Sequence, residues 1–324
     1  MKGLWPWLGI GVLVLAPRTV GWGDPLVHFD LDGGGGWLRG QEMYRIGGAV
    51  TLANGRRAQL HFPLSELRFP YHGPMGILRA ILDVPSAARL VGTVQGSLTP
   101  ASGCVEDRDW LKPGWPTVSS EADNETTILI AELLLQRPID RPRQTPFDRP
   151  PSLTVLFLVG YRYQSFDHEV RHLRQWYPAH PELGVEEERG LVATYATRYH
   201  IPWLGFGLAW DGRHLGDRFS IPLYVHGYAG GAGAALSDED RHLLREKISE
   251  SKNVGLGLLA GVELRAVVME RFVLAGGGEY WRAKTTGRQR QYWDHSGRRE
   301  WIGELDSESE QEHWTVSGRV GLRF

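Results

Sequence analysis

From His313 to Phe324 the chain alternates almost without interruption. Trp314, Val316, Gly318, Val320, Leu322 and Phe324 fall on one side, and His313, Thr315, Ser317, Arg319 and Arg323 on the other. Successive side chains of a strand point to opposite faces, so this stretch has one apolar and one wet face. A wall between lipid and a polar interior needs that arrangement in every strand, and its strands must close on themselves to leave no unpaired edge.

The same period recurs at Leu129–Leu135, Leu153–Tyr161, Phe219–Val225 and Val254–Leu264, each rich in branched or aromatic residues and bounded by Gly, Pro or Asp. The fold class expected is all-β: a transmembrane antiparallel β-barrel of about ten strands. Ending on Phe324 resembles bacterial outer-membrane barrels generally, whereas a soluble sandwich has no reason to finish there. The second strand is the least regular, because Pro63, Pro70 and Pro74 interrupt it. Short turns are expected at Pro85–Ala88, Asp211–Asp217 and Met269–Arg271. Long charged loops are expected at Pro100–Glu125, His172–Gly190, Ser237–Asn253 and Asp294–Gln311, which sets the long-loop end outside the cell. The Pro-rich stretch from Asp140 to Pro151 reads as a further loop. Trp110, Trp115, Trp203, Trp210, Trp281 and Trp293 sit near expected strand ends, where indole rings suit membrane interfaces or ordinary barrel packing.

Residues 1–23 carry Lys2, an apolar run from Leu4 to Ala16, and small residues at Gly21 and Gly23, as a secretory signal does. The run is shorter than the roughly 20 residues that a spanning helix needs. The barrel is then expected over residues 24–324. Cys104 is the single cysteine, so stability must come from a closed sheet or a large core rather than an internal disulfide. The net charge of −2 excludes a global field that would gather nucleic acid.

Two acidic clusters lie in segments expected at the same outer end: Glu106-Asp107-Arg108-Asp109-Trp110 and Asp238-Glu239-Asp240-Arg241-His242. In extended backbone, residues two apart share a side, so Asp107 with Asp109, and Asp240 with His242, form two paired faces that can meet across the mouth. An Asp beside a His orients the imidazole and stabilises its protonated form, so the ring can take a proton from water. Two crowded carboxylates share a proton, because both cannot ionise cheaply at close range. Water held between the pairs could attack a peptide carbonyl with no side-chain nucleophile.

On these residues the chain resembles the omptins, ten-stranded outer-membrane endopeptidases of Gram-negative bacteria. Asp107-Arg108-Asp109-Trp110 matches an Asp-x-Asp-Trp element of the second outer loop in that family. Asp238-Glu239-Asp240-Arg241-His242 matches an Asp-x-Asp-x-His element of the fourth. Gly160-Tyr161 and Ile201-Pro202-Trp203-Leu204-Gly205 are similar as well. The resemblance implies that Asp240 and His242 activate water with Asp107 and Asp109 as the partner pair. It implies that Asp238, with Glu42 matching more loosely, lines the pocket for an Arg or Lys at the cut, which a carboxylate favours through charge-assisted hydrogen bonds. It further implies lipopolysaccharide on the outer wall, at Arg198 and Tyr161, as a possible requirement for activity. The chain departs from the family around Val118–Glu125, where a further acidic pocket residue has no clear equivalent, and in the charged contacts around Tyr163-Gln164-Ser165.

Other readings of the same residues stay open. An acidic run alone is most often a solvated loop, and Leu243–Ile248 fits a short amphipathic helix. Cys104 lacks an adjacent His, and neighbouring carboxylates disfavour its thiolate. Gly33–Gly36 and Gly230–Gly233 lack the context of a phosphate loop. No compact ligand set suggests a catalytic metal. The enzyme expected is a monomeric outer-membrane endopeptidase acting on Arg- or Lys-containing polypeptides, with no cofactor. Its rival is a noncatalytic barrel that binds surfaces through acidic loops, and a pore is disfavoured because about ten strands leave a lumen that side chains largely fill.

Overall fold

The structure, a computed structural model, describes residues 27–84, 88–139, 152–212, 223–269, 271–295 and 298–324. The expected signal segment, the Asp140–Pro151 loop, and most of the turns at Pro85–Ala88 and Asp211–Asp217 lie outside the described residues, as does the start of the strand expected at Phe219.

Twelve strand segments follow in order: β1 (His28–Leu52), β2 (Arg57–Gln59), β3 (Ser65–Val84), β4 (Ala88–Ser97), β5 (Ala101–Asp109), β6 (Val118–Pro138), β7 (Ser152–Trp176), β8 (Val185–Gly212), β9 (Leu223–His242), β10 (Lys247–Val268), β11 (Phe272–His295) and β12 (Arg298–Arg323). They form one antiparallel sheet that closes where β12 pairs with β1, from Asp30 opposite Arg323 to Leu52 opposite Gly303. β2 is a short ribbon on the end of β1, and β4 and β5 occupy one position between β3 and β6. The ring therefore has ten positions, as the sequence pattern predicts.

The wall is inverted relative to a soluble protein. On β12 the outward residues Trp314, Val316 and Val320 are each more than half exposed, as is Phe324 just beyond it, while His313, Thr315 and Arg319 are buried inside. Val254, Leu256 and Leu258 on β10, and Leu204, Phe206 and Leu208 on β8, continue this apolar belt. Exposed apolar area of this extent is tolerable only against lipid. Inside, Arg162 donates to Glu132 at 2.9 Å and Glu279 at 2.7 Å, and Trp203 Nε1 donates to Glu132 at 2.9 Å. Nearer the chain ends, Asp30 pairs with Arg265 and Arg323, and Glu263 with Arg79 and Arg319. These buried charges are tolerable because each is paired, and they fill the lumen.

The structure corrects the extent of the strands. The segments expected as long charged loops are mostly strand: β7 runs 25 residues and β12 26 residues, well beyond the roughly 9–11 needed to cross lipid. Above the apolar belt the outward side chains become charged and the hydrogen-bond ladder continues. Lys284 stands opposite Glu310 and Arg288 opposite Asp306, with Lys284–Glu308 at 2.8 Å and Arg288–Asp306 at 2.7 Å. Opposite charges across a ladder support strand pairing as apolar pairs do, so charge there marks the water line rather than the end of the strand.

Three local expectations also change. Leu243–Glu246 is a tight turn rather than a helix, with Glu246 in the left-handed region at φ 47°. β3 runs unbroken through Pro70 and Pro74, because its ladder to β1 is complete while its pairing on the other edge lapses where β4 gives way to β5. The missing proline donors fall at that gap. Trp203 and Trp281 are buried in the lumen, not at the membrane interface.

Candidate active site

Above the apolar belt the lumen opens into a cleft, and alternation decides which charges face it. On β9, Asp238, Asp240 and His242 share the inner face, and Glu239 and Arg241 point out, where they pair with each other at 2.6 Å. On β5, across the mouth, Asp107 and Asp109 face in, and Glu106 and Arg108 pair outside at 3.0 Å. His242 is the last residue of β9, fixed on both sides: it lies opposite Ala193 of β8 and Lys247 of β10. The turn that follows is pinned by the Leu243 N–H, which donates to the Val192 carbonyl at 3.0 Å.

His242 Nε2 lies 3.3 Å from Asp240 Oδ2. The Asp240 carboxylate is the main cause of a raised His242 pKa. Burial, with Asp109 beside it, pushes Asp107 up to about 7, while His242 and Arg245 act in the opposite direction. Ser65 Oγ donates to Asp107 at 3.5 Å. Burial lowers Lys247, which feels Asp240, Asp109 and Asp107. The four side chains expected to form the two pairs thus act on one another's charge. Arg245 and Lys247 join them, two cations that sequence reasoning did not single out. Reading the alternation through the β9–β10 turn would have found Lys247, the cross-strand neighbour of His242.

Two cavities flank this constellation. One, about 290 Å³, lies toward β6, β7 and β8, and the other, about 300 Å³, toward β1, β10 and β11. Asp107, Asp240, His242 and Arg245 border both, so they form the ridge between them; Asp109 borders the second.

Asp238 and Glu42 lie one layer deeper and border neither cavity. The Ser251 N–H donates to Asp238 Oδ1 at 3.1 Å, and burial raises this carboxyl to about 7. Glu42 is 1 % exposed, 2.9 Å from His168 Nε2, and accepts from Thr197 Oγ1 at 3.1 Å. Above both acids lies an aromatic layer: Phe69 stacks on Tyr195 at 4.8 Å, and Tyr44 meets Tyr195 at 5.9 Å. Tyr44 and Ser251 share a hydrogen bond of 2.8 Å.

Arg198 and Tyr161 border neither cavity and face the outer wall. Arg198 donates to Asp167 at 2.6 Å and to the Thr197 carbonyl at 2.8 Å; the Tyr161 hydroxyl bonds His200 Nδ1 at 2.5 Å.

No family model and no curated protein matches the sequence. Among solved structures, the outer membrane protease OmpT from Escherichia coli aligns over 94 % of this chain and 99 % of its own, with a TM-score of 0.66 and 14 % identity. The translocator domain of the autotransporter NalP from Neisseria meningitidis aligns over 89 % and 88 %, but with a TM-score of 0.32 and 10 % identity it adds nothing to the comparison. At such identity the likeness is one of fold: this chain is an outer-membrane type of β-barrel whose ring matches that of OmpT.

Proposed function

We propose that the protein is an outer-membrane endopeptidase whose cleft faces outward and hydrolyses cationic polypeptides. The observation that carries this reading is the shared ridge: an Asp–His pair and a crowded Asp–Asp pair border the same cleft from opposite walls. His242 accepts a proton from a water molecule as its oxygen attacks the peptide carbonyl, and Asp240 stabilises the imidazolium formed. Asp107, able to hold a proton near neutral pH, orients the water with Asp109. The C–N bond then breaks as the imidazolium returns its proton to the leaving nitrogen. The fold shared with OmpT supports this reading.

Acids in and around the cleft favour a substrate rich in Arg or Lys. Asp238 and Glu42 are the proposed receptors for a basic side chain, which reaches them only when the aromatic layer of Tyr44, Tyr195 and Phe69 parts. Lipopolysaccharide is the proposed partner of the outer wall around Arg198 and Tyr161.

The test is cleavage of a quenched fluorescent peptide containing Arg by the protein folded with lipopolysaccharide. Asp107→Ala, Asp240→Ala and His242→Ala should each reduce kcat/KM by about 10²–10⁴-fold, with cationic-peptide binding retained. Binding without cleavage of any basic peptide would replace the enzyme by a surface-binding barrel.

A further inference from the structure

The two cavities beside the ridge differ in chemistry. The one toward β1 and β10 has Asp109, Lys247 and Tyr44 in its wall and stands above Asp238. The one toward β6–β8 is walled by Leu67, Phe69, Val105, Val170, Leu173 and Val192. Phe69, Val105, Val170 and Val192 are 1–6 % exposed and belong to one packed apolar cluster, so this wall is built rather than incidental. Besides Asp107 and Asp240 of the ridge, its carboxylates are the exposed Glu121 of β6 and the exposed Glu186, Glu187 and Glu188 of β8, which border the opening with Gln175 of β7.

A peptide laid across Asp107, Asp240 and His242 sends the residues flanking its scissile bond to opposite sides of the ridge. We propose, resting on the endopeptidase reading, that the β6–β8 cavity is the subsite for a large apolar side chain on one side of the bond. The β1–β10 side receives the basic residue on the other. An apolar cavity of about 150 Å³ suffices for benzene, so about 290 Å³ admits a phenylalanine side chain or a larger one. A guanidinium placed at its inner wall would lose water without gaining a partner. The three glutamates at the entrance meet a second Arg or Lys one or two residues further along the substrate, by charge complementarity. The substrate class is a cationic amphipathic peptide, cut between a basic and an apolar residue, and dibasic pairs are secondary.

The experiment compares peptides identical except at the central pair, Arg–Arg, Arg–Phe, Phe–Arg and Phe–Phe, with the full-length protein folded in micelles with lipopolysaccharide. One of the two mixed orders should exceed Arg–Arg in kcat/KM by about tenfold or more. Ala122→Phe, which fills the cavity from its β6 wall, should abolish that advantage while Arg–Arg cleavage persists. Leu173→Asp, at the cavity wall, should shift preference toward Arg and serves where the first variant folds poorly. Arg–Arg cleaved as fast as both mixed peptides overturns the subsite but leaves the endopeptidase intact. If wild type cleaves none of the four, the endopeptidase reading fails. The subsite is then judged by fluorescence binding of a dansyl-labelled Phe–Arg peptide: saturable binding weakened by Ala122→Phe supports it, and binding unaffected or absent overturns it.

Discussion

His242 and its neighbours show how position within a strand sets a residue's chemistry. Its pKa is raised chiefly by Asp240, yet a base must be neutral to accept a proton. The rate should therefore rise with pH through a midpoint above 6.5, and Asp240→Asn should move that midpoint down while lowering the rate; a midpoint that stays put would sink the pair as a unit. Asp238 makes the opposite kind of prediction. Its carboxyl, ordinarily at 3.8, is held at about 7 by burial, so the folded state binds a proton that the unfolded state has lost. Its contribution is fully present below pH 3.8 and is lost as pH rises through 7. At about 1.4 kcal/mol per pH unit, the span sets a ceiling of about 4 kcal/mol. Asp238→Asn should raise the urea midpoint at pH 8 and leave it nearly unchanged at pH 4. An equal effect at both values would show that the carboxyl ionises freely. The paired faces Asp107/Asp109 and Asp240/His242 were legible from i, i+2 spacing alone. Tyr44, Tyr195 and His168 were not, because their importance comes from neighbours more than a hundred residues away in sequence.

At the scale of the element, alternation located the lipid-facing halves of the strands and failed above the water line. There Asp306 and Glu308 fall within a segment expected as a loop, yet they pair with Arg288 and Lys284 across a ladder. Charge is compatible with a strand when the outward face meets water and an opposite charge stands alongside. Close approach between elements has a comparable logic. On β7, a Cβ at Gly160 would collide with Nε1 of Trp203, whose ring crosses from β8 to reach Glu132. Gly160→Ala should therefore displace the indole, strand Glu132 and Arg162 with poorer partners, and destabilise the barrel by about 1–3 kcal/mol, read as a lower urea midpoint in heat-modified gel mobility. Unchanged mobility would mean that the indole has room the geometry does not show.

For the molecule as a whole, stability rests on an apolar belt turned outward around a paired, charged interior. Leu258, 64 % exposed on that belt, is the site to probe it. Leu258→Arg should cost about 2–4 kcal/mol near the bilayer midplane, measured by unfolding from lipid vesicles, whereas Ser237→Arg on β9, exposed opposite Lys252 above the belt, should cost far less. Equal effects would contradict the placement of the belt. The sequence by itself determined the barrel class, the strand number and which residues face in or out, because a period of two is a local property of extended backbone. It also placed two acid pairs at one end of the chain's strands, since their spacing matches that period. Only the tertiary structure decided that β5 and β9 oppose each other across one cleft, that Glu42 is held by His168 and Thr197 beneath an aromatic layer, and that an apolar cavity adjoins the ridge. Closure of the ring fixes those relations, and closure depends on register summed over all ten positions, which no single segment carries.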